Sequence, residues 1–251
     1  MMRRRLLLVP LVITLGAVIT ACATPPPIGP PYNPESVTVE YDFRDGKHGW
    51  KAGFAEYAKD MEMQLESGLR PLPAGLGIDA TAFYLQGMNR SDDLFMFLTR
   101  NLTADDGIVP GQAYTVKYEL VFASNAPSGA VGVGGPPGEG VFLKAGATSL
   151  EPVPYLDETD YWMMNVDKGG GNSGEGDAAT IVGTIENGLH AEDVDLSNPP
   201  YVTLERTHEH SYTVTASDDG EIWLLVGTDS GFEGLTGIYY QSITVTLEPV
   251  A

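Results

Sequence analysis

The chain has 251 residues, of which 34 are acidic and 14 are basic, so its net charge at neutral pH is −20. An acidic surface of this kind repels nucleic acid and anionic lipid, which excludes both as direct partners of the folded part. Cys22 is the only cysteine in the chain. No intramolecular disulfide can form, and the fold must depend on its hydrophobic core.

Residues 1–21 predict a lipoprotein signal peptide. Three arginines stand at positions 3–5, and the apolar stretch at 6–19 is too short for an ordinary membrane-spanning helix. The stretch ends in the sequence Ile-Thr-Ala-Cys, which resembles the lipobox of bacterial lipoproteins. The resemblance implies that Cys22 is acylated, with palmitate-type chains, and becomes the mature N-terminus. The alternative is an ordinary signal peptide with a chance cysteine near its cleavage site.

Residues 22–36 predict an acylated cysteine followed by a stiff linker. Six of the thirteen residues at 24–36 are proline, which is typical of an extended chain of about 3.1 Å per residue. Residues 37–251 predict one domain, located in the cell envelope and held at a membrane by its N-terminal lipid. Ala23 follows the cysteine in place of Asp. In a Gram-negative bacterium this resembles the pattern of lipoproteins sent to the outer membrane.

Within residues 37–251, apolar residues recur at every second position, and this pattern predicts β-strands. In chain order, residues 93–102 are apolar on both faces, which is typical of a central strand. After the turn Pro110-Gly111, the apolar residues at 114, 116, 118, 120 and 122 share one face of a strand. The same alternation at 243–247 predicts a half-buried final strand. These patterns predict an all-β protein, an antiparallel β-sandwich.

A hairpin is predicted between residues 211–216 and 221–227. The two segments flank the sequence SDDG, in which Asp219-Gly220 favours a tight turn with positive φ. The second segment is again apolar on both faces, as a central strand would be. Trp50 and Trp223 are predicted to lie in the core.

Three stretches resemble the jelly rolls of carbohydrate-binding modules with the galactose-binding-like fold. They are YDFRDGKHGW (41–50), VPGQAYTVKYELVFAS (109–124) and GIYYQSITVTL (237–247). The resemblance implies a jelly-roll sandwich and a glycan partner. Arg44, Gln241 and Ser242 stand where that family often has calcium ligands, so its structural calcium site is not expected here. The chain also resembles a group of bacterial lipoproteins.

Two long glycine-rich segments, 123–140 and 167–178, predict functional loops at one end of the sandwich. Tyr155, Tyr161 and Trp162 lie beside them and are predicted to contact a ligand. The alternative is that these aromatic residues belong to the core, as aromatics on strands commonly do.

Acidic residues in two loops predict a cation site. Asp167 and Asp177 lie with Asn172 and Glu175 in the second glycine-rich segment, and calcium is the ion that such oxygen ligands would hold. Asp229 and Glu233 lie four residues apart in GTDSGFEGLTGIYY (227–240). We expect them either to share a cation or to belong to a simple connection between strands.

His208 and His210 predict either one side of a zinc site or a solvated strand face. The spacing of two residues puts both imidazoles on one face of a strand, as zinc coordination would require. A third ligand cannot be named from the sequence.

No nucleotide-binding or nucleophile-elbow motif is present, so we predict a protein that is not an enzyme. Paired carboxylates for glycoside hydrolysis stay open, because 34 acidic residues allow many pairs. The preferred function is a membrane-anchored binding module, with a carbohydrate as its ligand. The alternative is a structural or protein-interaction lipoprotein of the envelope without glycan binding.

Overall fold

The computed structural model describes residues 35–251, which belong to one compact unit. The predicted signal peptide, Cys22 and most of the linker lie outside the described residues. None of the helices in the described part of the chain is long and apolar enough to cross a membrane.

The described chain is built from β-strands joined by loops and short 3-10 helices. The strands are β1 Val37–Asp42, β2 Lys51–Ala55, β3 Tyr57–Ala58, β4 Glu66–Pro71, β5 Thr81–Met88, β6 Leu94–Leu102, β7 Ala113–Ser124, β8 Ala126–Ser128, β9 Val141–Thr148, β10 Pro154–Leu156, β11 Tyr161–Met164, β12 Thr180–Thr184, β13 Glu186–His190, β14 Val202–Glu209, β15 Val214–Thr215, β16 Ile222–Ser230 and β17 Leu235–Pro249. The 3-10 helices are Phe43–Asp45, Ala74–Leu76, Ala104–Asp106 and Ala191–Asp193.

Two large sheets form the sandwich. The seven-stranded sheet has the order β14-β7-β17-β5-β4, with β1 also paired to β17 and β15 to β7. The five-stranded sheet has the order β12-β9-β16-β6-β2. A small sheet, β10-β11-β3, and the parallel pair β8–β13 are the other two sheets of the described chain, and every pair except β8–β13 is antiparallel. The prediction of an all-β antiparallel sandwich is confirmed.

The core lies between the inner faces of the two large sheets. On β7, the five residues predicted to share one face are all at most 1% exposed. β6 and β16 carry the opposing layer, and both occupy interior positions of the five-stranded sheet, as predicted. Burying one large apolar side chain is worth about 1.5–3 kcal/mol, so this layer supplies much of the driving force for folding. Trp50 and Trp223 are buried, which confirms their predicted place.

The first and last strands fix the two ends of the sandwich. β1 pairs antiparallel with β17, and Val37 lies opposite Leu247. β17 begins at Leu235, so Leu235 and Val37 are at opposite ends. The distance between these ends is about 40 Å at the usual rise of about 3.3 Å per strand residue. We call the end with residues 231–235 the loop end, and the end with Val37 the linker end.

The predicted hairpin between residues 211–216 and 221–227 is wrong, although its turn is present. The N–H of Gly220 donates to the carbonyl of Ser217 over 2.9 Å, and Gly220 has a φ of +76°. Beyond the turn, however, β15 pairs with β7 in the seven-stranded sheet, whereas β16 pairs with β6 and β9 in the five-stranded sheet. The turn therefore crosses from one sheet to the other. In the five-stranded sheet β16 has a partner on each side for its main-chain hydrogen bonds, and apolar clusters cover both of its faces.

Candidate functional site

Three glycine-rich segments meet at the loop end, and the sequence predicted two of them to do so. The N–H of Gly231 donates to the carbonyl of Gly140 over 2.9 Å. A Cβ atom on Gly231 would lie only 2.2 Å from Nδ2 of Asn172, so this close approach depends on glycine. The three segments are 123–140, 167–178 and 231–234.

The segment 227–240 belongs mostly to two strands, and only a short connection joins them. β16 continues to Ser230, which leaves only residues 231–234 as the loop. Phe232 packs against the core and fills the space beside two glycines. A Cβ atom on Gly132 or Gly234 would come within 2.5 or 2.1 Å of its ring. The ring fixes the loop to the end of the sandwich.

Asp229 lies in β16 and pairs with two lysines. It is fully buried, and its Oδ2 accepts from Nζ of Lys144 over 2.7 Å and from Nζ of Lys168 over 2.9 Å. Glu233 is exposed on the loop, so the two carboxylates that were expected to share a cation are not brought together. Asp229 lies on the outer face of the five-stranded sheet. A buried carboxylate there needs a positive charge beside it, and the two lysines supply that charge.

The acids of segment 167–178 are also separate from one another. Asp167 and Asp177 are exposed. Oδ1 of Asp167 accepts from the N–H of Gly169 over 2.9 Å, which stabilises the loop itself. Within residues 35–251, no three His, Cys, Asp or Glu side chains are grouped so that they could hold a metal ion.

The two predicted zinc ligands bind a hydroxyl group. Nε2 of His208 and Nδ1 of His210 lie 2.8 and 3.0 Å from Oγ1 of Thr180. Burial lowers the pKa of both imidazoles, which favours their neutral forms. The two histidines and Thr180 connect β14, at the edge of the seven-stranded sheet, to β12, at the edge of the five-stranded sheet. Their role is therefore structural.

The three aromatic residues predicted to bind a ligand do not share a face. Tyr161 and Trp162 are successive residues of β11, so their side chains point to opposite sides of the small sheet. Tyr155 lies opposite Met163 and therefore on the side of Tyr161; it is 47% exposed. The hydroxyl of Tyr161 lies beside Ser91.

Glu56 is a buried residue with a strained backbone, and no sequence motif marks it. Its φ of +65° lies in the left-handed region, which is uncommon for a residue other than glycine. Its N–H donates to the carbonyl of Trp162 over 2.6 Å, and its carbonyl accepts from Oγ of Ser91 over 2.8 Å. Burial raises the pKa of its side chain. Strain of this kind is concentrated at functional sites.

A cavity of about 260 Å³ opens beside Glu56 at the loop end. Lys168 and Asp93 line it, and the distance from Nζ of Lys168 to Oδ1 of Asp93 is 3.6 Å. Burial lowers the pKa of Lys168, but the carboxylates of Asp229, Asp93 and Glu56 outweigh burial and leave it above its ordinary value. The cavity therefore lies over a cluster of buried charges of both signs.

Arg44, Gln241 and Ser242 line one cleft, which also contains Asp42 and Thr81. Nε of Arg44 donates to both oxygens of Asp42 over 3.0 and 2.8 Å. This bond lowers the pKa of Asp42. The guanidinium of Arg44 and the carboxylate of Asp42 thus pair with each other within this cleft.

A cluster of three tyrosines lies on the outer face of the seven-stranded sheet. The ring centroids of Tyr84 and Tyr239 are 4.5 Å apart, and those of Tyr201 and Tyr239 are 5.2 Å apart. Their neighbours Phe83, Leu85, Ile238 and Tyr240 point into the core, so by alternation Tyr84 and Tyr239 point outwards. Tyr201 and Tyr239 are half-buried, which leaves part of each side chain in contact with solvent.

Polar groups and small residues surround the tyrosines. The guanidinium of Arg70 lies 4.5 Å from the ring centroid of Tyr84, and the hydroxyl of Tyr84 donates to Oε1 of Gln86 over 2.6 Å. Gly68 lies opposite Tyr84 on β4, and no other heavy atom lies within 4 Å of the position that its Cβ would take. Burial raises the pKa of Tyr84 to about 12, so its hydroxyl stays protonated. We call Tyr84, Tyr201, Tyr239, Arg70 and Gln86 the tyrosine surface.

Comparisons with known proteins assign the chain to no family. No model of a known protein family matches it, and no curated protein does. Among solved structures, the enzymatically active domain of tailspike protein 4 from bacteriophage CBA120 is similar over 83% of this chain, with 8% identity and a TM-score of 0.36. The chain covers 20% of that protein's length.

Two carbohydrate-binding modules are also similar. The module CBM27-1 of Caldicellulosiruptor saccharolyticus, in complex with mannohexaose, shares 10% identity over 82% of this chain and 95% of its own, with a TM-score of 0.35. The xylan-binding module CBM15 shares 12% identity over 86% of this chain and 99% of its own, with a TM-score of 0.35. Similarity at this level says nothing about the ligand of the present chain. Any argument about that ligand must come from the chain's own residues.

Proposed function

We propose that the protein is a lipid-anchored, non-catalytic module of the cell envelope that binds a glycan on the tyrosine surface. The observation that carries the proposal is the cluster of three tyrosines on the outer face of the seven-stranded sheet, in which Tyr201 and Tyr239 are half-buried and Tyr84 beneath them is 5% exposed. Sugar rings have apolar C–H faces that pack against aromatic rings, and their hydroxyls need donors and acceptors around that contact. Arg70 and Gln86 supply both beside Tyr84.

The position of the tyrosine surface suits an anchored protein. Tyr239 lies four residues from Leu235 on β17, in the half of the strand nearer the loop end. An N-terminal lipid at Cys22 and the proline-rich linker would hold the molecule from its linker end. The tyrosine surface lies in the half of the sandwich farther from Val37, the residue at which the linker joins β1.

A glycan array probed with the full chain tests the proposal. The chain is kept in a zwitterionic detergent without sugar groups, and the array is run with and without calcium. We expect one class of glycan to bind, and Tyr239→Ala to weaken that binding about tenfold or more, as loss of a central aromatic contact does. Tyr155→Ala is the matched control, because it removes an exposed tyrosine from a different sheet. Silence under both conditions, or equal loss in the two variants, would refute the proposal.

A second candidate function, protein interaction, is favoured by an apolar groove at the loop end. The groove has a volume of about 430 Å³, and Val131, Leu196 and Leu235 line it while being 99%, 56% and 48% exposed. Exposed apolar residues gathered in this way are typical of protein contacts. A photo-crosslinking residue at position 131 should then capture a protein in intact cells, and the same residue at position 155 should not.

A further inference from the structure

The cavity beside Glu56 lies on the opposite side of the molecule from the tyrosine surface. It is on the outer side of the five-stranded sheet, where Phe95, Phe97 and Leu225 form a second small core. β11 and the start of segment 167–178 cover this side. A site in the cavity would therefore be independent of the proposed glycan surface.

Glu56 presents an acceptor atom to the cavity. The residue is only 6% exposed, and its Oε1 accepts from the N–H of Met164 over 3.1 Å. Its other carboxylate oxygen, Oε2, takes no part in that hydrogen bond. Oδ1 of Asp93 is buried and accepts no hydrogen bond within residues 35–251. Buried polar atoms in native proteins nearly always have a hydrogen-bond partner. Oδ1 of Asp93 has only the ammonium of Lys168 at 3.6 Å, so it points to a hydrogen-bonding ligand, and the carboxylate of Glu56 lines the same cavity.

The charges around the cavity favour an uncharged ligand. Lys168 and the carboxylates of Glu56 and Asp93 all line it, so a formally charged ligand of either sign would meet a like charge at close range. A hydroxyl group both donates and accepts, and it can serve the ammonium and the carboxylates together. A metal ion is disfavoured, because no three His, Cys, Asp or Glu side chains are grouped as ligands in the described chain.

The size and apolar lining of the cavity narrow the ligand further. Met163, Met164 and Val166 give it an apolar wall. Its volume of about 260 Å³ is below that of pockets for drug-sized molecules, which begin at about 300 Å³. We infer that the cavity is a second binding site, for a neutral polyol the size of one sugar ring. The polyol that binds is either a free monosaccharide or the terminal unit of a glycan.

Methionine methyl groups give a direct readout of the cavity. The full chain, in a sugar-free zwitterionic detergent and labelled with ¹³C at its methionine methyls, is titrated with glucose, galactose and mannose. Met163→Leu and Met164→Leu assign the two cavity signals. We expect one of these sugars to shift both signals saturably, and its amino-sugar and uronic-acid counterparts to bind about tenfold more weakly because of like-charge contacts. The methyl glycoside should bind equally well if the source is a chain end, and weakly if it is the free sugar.

Variants test whether the sugar binds in the cavity or on another surface of the molecule. Glu56→Gln should weaken the shift-detected affinity about tenfold, and Asp93→Asn provides the same test should the first variant unfold early in a thermal melt. Glu233→Gln changes an exposed acid of the same end, and Tyr239→Ala alters the tyrosine surface; both should leave the affinity unchanged. The inference is overturned if no neutral sugar saturates the two signals, if charged counterparts bind as well, or if both cavity variants bind like the native chain. Binding on the glycan array is read separately, so either proposal can fail alone.

Discussion

Lys144 and Asp229 form an ion pair whose side chains are both fully buried, with 2.7 Å between Nζ and Oδ2. They belong to the neighbouring strands β9 and β16 and lie on the outer face of the five-stranded sheet. Lys168 joins the same carboxylate oxygen from the loop above, and Nζ of Lys144 also donates to the main-chain carbonyl of Lys168 over 3.0 Å. The pair therefore ties the segment that covers the cavity to the sheet beneath it.

Asp229→Asn should destabilise the protein strongly. The change removes the carboxylate that pairs with Lys144 and leaves Lys168 only the more distant Asp93, at 3.6 Å. Breaking a buried pair in this way typically costs about 3–5 kcal/mol. Chemical denaturation measures the loss in the free energy of unfolding. Glu151→Gln, which breaks the exposed pair with Lys51, is the control and should cost less than about 1 kcal/mol. Similar losses in the two variants would mean that the buried pair is not holding the loop segment.

Sequence patterns recovered the strands but not which strands pair. Alternation identified β7 and the end of β17 because a half-buried strand leaves that mark directly in its residues. The pairing of β16 depends on distant partners, and so the local Asp219-Gly220 turn suggested a hairpin that does not form. For the same reason Asp229 resembled a loop residue, although pairing with β6 and β9 continues the strand past it.

The candidate sites were less accessible to sequence reasoning than the fold. Tyr239 stands in a stretch that looks apolar throughout, and a bulge at Gln241 shifts the register so that Tyr240 and Ile243 both face the core. Because of that bulge, the alternation could not be read across the tyrosines. Glu56 carries no pattern at all, because its strain and burial come from Ser91 and Trp162, which are distant in the chain.

The two buried histidines should make the protein sensitive to mild acid. Burial lowers the pKa of His208 and His210 in the folded state, whereas in the unfolded chain both titrate near their ordinary value of about 6.5. Below that pH the unfolded state binds more protons, so this stabilising contribution is complete above about pH 6.5 and is lost as the pH falls. Thermal unfolding measured between about pH 7 and 5 should show a falling midpoint.

Variants can show whether the loss of stability in mild acid comes from these histidines or from carboxyl groups near them. Asp177 and Glu175 lie close enough to raise the pKa of His210 in part, and Thr180 bonds both rings. A double variant, His208→Gln with His210→Gln, should flatten the dependence on pH over the same interval. His190→Gln changes an exposed histidine and should leave the dependence as it is. An equally steep curve in the double variant would assign the effect to carboxyl groups instead.

Gly237→Ala should disturb the tyrosine surface without unfolding the sandwich. A Cβ atom at this position would lie 2.7 Å from the hydroxyl oxygen of Tyr84 and 3.3 Å from that of Tyr201. Both rings would have to shift, so glycan affinity should fall several-fold while the melting temperature changes little. Isothermal titration with the best glycan from the array measures the effect. Gly75→Ala is the control, since open space surrounds that position; unchanged affinity in Gly237→Ala would place the ligand elsewhere.

Cys22→Ser should release the protein from the membrane. The serine has no thiol and cannot form the thioether link of an acylated cysteine, and each acyl methylene lost removes about 0.8 kcal/mol of membrane affinity. Labelling cells with radioactive palmitate and separating membranes by centrifugation measure both effects. We expect labelling to vanish and the chain to move to the soluble fraction, while Ala23→Ser, beside the same cysteine, stays labelled and sediments. Labelling that persists in Cys22→Ser would show that Cys22 is not the acylated residue and would refute the lipobox, whereas an unlabelled native chain would show that the signal sequence is of the ordinary kind.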